Sequence, residues 1–184
     1  MNKIKMIIGL GNPISNYKNT RHNVGIWYIK LLSNYFHSNF KKIKKFLGYK
    51  CKISFLKKDI LLFFPDIFMN LNGNSILKVS QFYNIKLSEM LVIHDELDLL
   101  PGFIKIKYGY GSNGHNGLKS VIEKFNKNTF YHRLSIGIGR PNFRKDVSNF
   151  VLSTPKLNEK NIILKSINKS INSIFFKKKY NFLF

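Results

Sequence analysis

The sequence predicts a single α/β layered domain. Short apolar runs of strand character alternate along the chain with segments whose apolar residues recur at a helical period. At 184 residues the chain is long enough to bury one core without a metal or disulfide staple. No internal repeat, low-complexity stretch or linker divides it. Residues 1–184 are therefore expected to form one domain, closed by a helical segment over 157–184.

Residues 4–10 read as the first, buried strand. The apolar run from Met6 to Leu10 is shorter than a signal-peptide core and meets the turn sequence Gly11-Asn12-Pro13. After the start signal Asn19-Thr20, residues 24–36 carry apolar side chains around a helical period. Three strand-like runs follow, over 43–46, 49–55 and 60–64, separated by Gly48 and by Lys57-Lys58-Asp59, and suggest a meander. Residues 76–83 read as a helix, 90–93 as a buried strand, 103–108 as an alternating strand, 118–125 as a helix and 134–138 as a strand. Leu157, Ile163, Leu164, Ile167, Ile171, Ile174 and Phe175 then describe a terminal helix.

Composition narrows the function classes. The lone Cys51 cannot form an internal disulfide, which fits a reducing cytoplasm. Lysines interrupt every apolar stretch before it reaches the roughly eighteen residues of a membrane span, so a soluble cytoplasmic protein is expected. A net charge of +22, from 31 basic against 9 acidic residues, points to a polyanionic partner, nucleic acid first. The chain is also crowded with Lys, Asn, Ile and Phe and has only four arginines, the bias that a coding sequence drifting toward A and T produces without selection. Charge alone therefore marks compatibility with nucleic acid and no more.

Two glycine patterns imitate a dinucleotide fingerprint: Gly9-Leu10-Gly11, and Gly109-Tyr110-Gly111-Ser112-Asn113-Gly114. A dinucleotide site also needs an acid about twenty positions further on to hold the ribose. The first acid in the chain is Asp59, and none lies between Glu123 and Asp146. The glycines fit tight turns or close backbone approach better, and no cofactor is expected.

His22, in Thr20-Arg21-His22-Asn23-Val24-Gly25, falls at the predicted start of the first helix. A helix N-terminus disfavours an imidazolium and keeps the ring able to accept a proton, and a nearby carboxylate would orient it. Three of the chain's nine acids fall in His94-Asp95-Glu96-Leu97-Asp98, just past an apolar strand, where α/β folds present site residues. That cluster matches no standard metal spacing. Neither HExxH nor GxSxG occurs, and Cys51 sits between lysines in a predicted strand, so metal-hydrolase and serine or cysteine nucleophile chemistry are not expected. Asn12, Asn70 and Asn116 add amide groups able to hold a carbonyl, a hydroxyl or a water, provided that they converge on His22. Lys105 and Lys107 alternate on one strand, on the same face about 7 Å apart, a spacing suited to phosphate contacts.

Six ordered blocks, Gly9-Leu10-Gly11-Asn12-Pro13, Thr20-Arg21-His22-Asn23-Val24-Gly25, Phe68-Met69-Asn70-Leu71-Asn72-Gly73, His94-Asp95-Glu96-Leu97-Asp98, Gly114-His115-Asn116-Gly117 and Arg133-Leu134-Ser135-Ile136-Gly137-Ile138-Gly139-Arg140-Pro141, together resemble the bacterial peptidyl-tRNA hydrolase family. The resemblance runs up to about Leu152. It implies a monomeric α/β fold with a mixed, twisted central sheet flanked by helices, no metal, and peptidyl-tRNA as substrate. It implies that His22 activates water against the ester, with Asp95 orienting and stabilising it. By the same resemblance Asn12 contacts the peptide and distinguishes blocked from free aminoacyl-tRNA. Tyr17, Phe68, Asn70 and Asn116 hold the 3′ end of the tRNA and the reacting water, and Met69 lines the cleft. The chain departs from the family pattern at Ile14 and Tyr110, where glycine is usual, and at Ser135, where a second arginine is common. Many relatives also extend further at the C-terminus. A catalytically silent RNA-binding protein on the same fold is the competing reading, and retention of His22, Asp95, Asn12, Asn70 and Asn116 argues against it.

Overall fold

The computed structural model describes residues 3–125 and 128–176. Seven strands form one sheet: β1 (Met6–Gly9), β2 (Lys41–Ile43), β3 (Gly48–Phe55), β4 (Lys58–Pro65), β5 (Met90–Glu96), β6 (Ile104–Gly109) and β7 (Tyr131–Gly137), in spatial order β2-β3-β4-β1-β5-β7-β6. The centre is parallel, with β1 between β4 and β5 and with β7 beside β5. The two edges are antiparallel, through the β2-β3-β4 meander on one side and the β6-β7 pair on the other. The sheet is thus mixed and the molecule α/β, as the alternation of strand and helix predicts.

Strands buried on both faces read as unbroken apolar runs, and β1 and β5 are such runs. Successive side chains point to opposite faces, so Ile7 joins one core while Met6 and Ile8 join the other. Helices α2 (Val24–Tyr35) and α6 (Leu157–Ile171) contribute Ile29, Leu32, Ile163 and Ile167 to the first core. Helices α3 (Asn72–Tyr83) and α4 (Asn116–Lys124) contribute Ile76, Val79, Leu118 and Val121 to the second. Two short helices complete the described chain, α1 (Ile14–Tyr17) and α5 (Val147–Leu152).

Helix α2 begins directly on the sheet. A methyl group on Gly25 would lie 2.4 Å from the Ile93 carbonyl oxygen, and one on Gly9 would lie 2.4 Å from the Gly25 oxygen. Only glycine permits this approach, and it brings the residues preceding α2 to the carboxyl ends of β1 and β5.

Several boundaries differ from the sequence reading. The run over 43–46 is not a strand: β2 ends at Ile43, and Lys44–Phe46 form one tight helical turn closed by Leu47 at φ +54°. Phe46 drives this, because its ring is buried in the core beneath α3, where the Ser75 hydroxyl also holds its carbonyl. Helix α3 starts at Asn72, four residues before the apolar period becomes visible at residue 76. β5 continues through His94 and Asp95 to Glu96, because these residues pair with Ser135, Ile136 and Gly137 of β7. The terminal helix runs to Ile171 and then widens into a looser turn over Asn172–Phe176; the rest of the predicted 157–184 segment lies outside the described residues. Among the described residues no helix is long and apolar enough to cross a membrane.

Candidate active site

A cleft of about 780 Å³ opens above the carboxyl ends of β1 and β5, the position where open parallel sheets place their sites. Its walls include Asn12, Tyr17, His22, Phe68, Asn70, Asp95 and Asn116, so the structure gathers every predicted site residue around one space, together with Met69. His115, Arg140, Arg144, Lys145 and one side of α5 also line it.

At the floor, Asp95 is buried and one of its oxygens serves two imidazoles. Asp95 Oδ1 lies 2.8 Å from His22 Nδ1 and 2.8 Å from His115 Nε2. His115 caps α4: its Nδ1 accepts the backbone N–H groups of Gly117 at 3.0 Å and Leu118 at 3.2 Å. A ring nitrogen that accepts two amides carries no proton, so His115 is fixed as the neutral tautomer that donates from Nε2 to Asp95. For His22 the same carboxylate selects the opposite tautomer. Nδ1–H donates to Asp95, which leaves Nε2 as the proton acceptor of a ring lining the cleft.

Burial by itself would push the Asp95 carboxyl up. The imidazole N–H groups of His22 and His115 that point at it outweigh burial and hold it well below the usual carboxylate range. His22, Asp95 and His115 are also of metal-ligand type, with donor atoms within 4.8 Å of one another. His22 Nδ1, Asp95 Oδ1 and both ring nitrogens of His115 are taken up by a hydrogen-bond relay from the start of α4 through Asp95 to His22.

His94, next in the chain, does not line the cleft, and its ring meets that of His115 edge-on at 5.1 Å. Its Nδ1 donates to the Asp95 carbonyl at 2.7 Å, and its Nε2 accepts from Ser135 Oγ at 3.0 Å. Ser135 is thus buried against a neutral histidine. Burial pushes the His94 imidazole from 6.5 down to about 3, against the pull of Asp95. The sign follows from proton uptake: between those two values the unfolded chain binds a proton at residue 94 and the folded chain does not. His94 therefore costs nothing above pH 6.5 and reduces stability as pH falls toward about 3, with a slope on the order of 1 kcal/mol per pH unit. Denaturant unfolding of wild type and His94→Gln at several pH values between 7 and 4 should show the wild type losing stability faster; parallel curves would contradict a neutral buried His94.

The first loop is held by buried asparagines. Asn23 accepts the Asn12 N–H at 2.8 Å and donates to the Asn12 carbonyl at 3.0 Å. Asn72 accepts the Gly11 N–H at 3.2 Å and donates to the carbonyls of Gly11 at 3.1 Å and Phe68 at 3.0 Å. Between these clamps, Asn12 Oδ1 accepts the Met69 N–H at 2.8 Å, which leaves its NH₂ group as a donor for the cleft. Phe68, Asn70 and Asn116 are exposed at the rim, and the Tyr17 ring meets Phe68 edge-on at 6.4 Å.

Behind His22, Arg21 is buried and moors the turn Arg21–Asn23 to the C-terminal part of the chain. Its guanidinium donates to Ser153 Oγ at 2.6 Å and the Thr154 carbonyl at 3.2 Å, and it pairs with Glu159 at 2.7 Å. Arg133 fixes the glycine-rich loop through the carbonyls of Gly111 at 2.8 Å and Tyr110 at 3.1 Å. Lys105 and Lys107 are both exposed on β6, on one face as predicted. Residues 110–115 follow β6 and precede α4. They form the arm that brings Asn113, Gly114 and His115 to the cleft.

His115, Asn23, Asn72 and Arg21 have structural parts that the sequence reading did not assign. For His115 the available signal was Gly114-His115-Asn116-Gly117 itself, a cap-like sequence just before a helical run.

The peptidyl-tRNA hydrolase family profile matches residues 6–180. A peptidyl-tRNA hydrolase of Buchnera aphidicola subsp. Cinara cedri is 55% identical over 171 residues, covering 91% of this chain and 89% of that protein. That of Proteus mirabilis is 44% identical over 171 residues, covering 93% and 88%. The crystal structure of peptidyl-tRNA hydrolase from Acinetobacter baumannii superposes with a TM-score of 0.88 at 38% identity, over 94% of this chain and 87% of that one. With the fold, the cleft and the sequence agreeing over nearly the whole chain, the protein belongs to the peptidyl-tRNA hydrolase family.

Proposed function

We propose that the protein hydrolyses the ester between a peptide and the 3′ end of its tRNA, with His22 as general base and Asp95 as its orienting partner. The observation that carries this reading is the Asp95–His22 pair at 2.8 Å, which holds Nδ1 of the ring against the carboxylate and leaves Nε2 for the cleft. His22 removes a proton from water as the water oxygen adds to the ester carbonyl, and Asp95 stabilises the imidazolium that results. The carbonyl oxygen gains charge as the tetrahedral intermediate forms. Collapse of the intermediate expels the ribose oxygen, which takes the proton from His22, and free tRNA and peptide leave.

Side-chain amides provide the remaining polar contacts. With its Oδ1 committed to Met69, Asn12 offers only N–H donors, which suit a peptide carbonyl and oppose a free α-ammonium. That preference selects N-blocked substrates. Asn70 and Asn116 reach the reacting water and the terminal ribose from the rim, and Tyr17 and Phe68 offer ring faces to the terminal base. Amide donors aimed at a developing oxyanion contribute about 10²- to 10³-fold.

The direct test is release of an N-blocked amino acid from its tRNA, with unblocked aminoacyl-tRNA as control. Turnover of the blocked substrate alone is expected. Tight tRNA binding with no turnover would make the protein a silent RNA-binding member of the fold.

A further inference from the structure

Away from the cleft, a groove of about 510 Å³ runs along the sheet beside the end of α3, lined by Lys5, Lys41, Lys50, Lys52, Asp59 and Tyr83 among others. Two of its lysines stand in an arrangement that stability alone disfavours. Lys41 of β2 and Lys50 of β3 are direct cross-strand partners, so their Cβ atoms sit about 4.5–5.5 Å apart on one face, where like charges repel. Lys52 follows Lys50 on the same face. The outer lysines are neutralised, Lys5 by Glu89 at 2.7 Å and Lys52 by Asp59 at 3.0 Å. Among the described residues no carboxylate pairs with Lys41 or Lys50. The Lys50 ammonium is half-buried and rests on a neutral group, the Tyr83 hydroxyl at 2.7 Å. Beside Tyr83, the exposed ring of Phe82 carries Lys45 over its face at 3.6 Å.

We propose that this groove binds the phosphate backbone of RNA, as a second contact outside the cleft. Opposed lysines lacking an acid are complementary to phosphate oxygens, and a basic groove with a neighbouring exposed aromatic ring is the arrangement that tracks a nucleic-acid strand. An acidic peptide would satisfy the lysines as well, but a chain of net charge +22 that acts on an RNA ester meets RNA as its polyanion. The proposal rests on the reading of the substrate as an RNA ester, and it extends recognition from the reacting 3′ end to a surface on another part of the sheet. The RNA is either the body of the same tRNA or a separate strand, and both offer the same chemistry.

The test is fluorescence anisotropy with uncharged tRNA and with an RNA hairpin lacking an unpaired 3′ tail, over a range of salt concentrations. It compares wild type, Lys41→Gln/Lys50→Gln, and a charge-matched control, Lys165→Gln/Lys169→Gln, on exposed positions of α6. The groove variant is expected to bind tRNA several-fold more weakly at low salt and to lower the slope of log affinity against log salt by about one to two units, one for each lost phosphate contact. The control should retain the wild-type slope, as should Lys50→Arg, which keeps the charge. Loss confined to tRNA identifies the body of the substrate; loss with both probes identifies RNA in general. An equal change in the groove variant and the control would overturn the proposal by reducing it to net charge, and so would tighter binding of an oligoglutamate than of the hairpin. Thermal melting guards against a folding artefact, since removal of the opposed charges should not lower the midpoint. Uncharged tRNA makes the outcome independent of whether the ester is cleaved.

Discussion

His22→Ala should lower kcat on N-blocked aminoacyl-tRNA by at least the roughly 10²- to 10⁴-fold that a general base contributes, while tRNA affinity changes little. The expectation follows from the separation of tasks. In the proposed reaction the imidazole reaches substrate only through a water, whereas the rings, amides and lysines proposed to contact nucleic acid lie at the rim and beyond it. Single-turnover cleavage and equilibrium binding, measured on the same preparation, distinguish the two. Equal losses in rate and affinity would mean that His22 holds RNA instead of activating water. The substitution removes a hydrogen-bond donor to Asp95 but leaves that from His115, so the buried carboxylate keeps one partner and the fold is expected to persist.

Asp95→Asn is expected to lower kcat by about 10²- to 10⁴-fold with little change in KM, the range over which orientation and charge at a catalytic imidazole act. An amide oxygen in place of Oδ1 could still accept from both rings, and the capped His115, able only to donate from Nε2, would hold the new amide with its oxygen inward. His22 would then keep its tautomer and lose only the negative charge that stabilises the imidazolium. Were the amide to turn its NH₂ group inward, His22 would be forced to carry its proton on Nε2 and the base would vanish. Both routes reduce turnover and spare binding. An Asp95→Asn enzyme with near wild-type kcat would exclude a role for this carboxylate in the reaction.

Much of this site was legible before the fold was known, for reasons that particular residues make clear. β1, α2 and β5 stood out because continuous apolar runs and helical periods survive any drift in composition, and His22 and Asp95 could be placed at their ends. His115 could not be placed, because its role depends on a cap and a carboxylate twenty residues away meeting at one point. Asn23 and Asn72 were hidden by abundance: in an asparagine-rich chain nothing local separates a buried clamp from a surface turn residue. Helix α5 is six residues long, too short for a period to register. The false strand over 43–46 arose because Ile43 and Phe46 look like strand residues, although Phe46 folds inward and shortens β2.

The mooring of Arg21 to Ser153, Thr154 and Glu159 joins residues more than 130 positions apart. Contacts of such sequence separation form late, after the intervening chain is available to close the loop. During synthesis, then, His22 emerges more than 130 residues before the side chains that anchor its turn. The turn that carries His22 is therefore held only after residues 153–159 have been made and have folded back onto it.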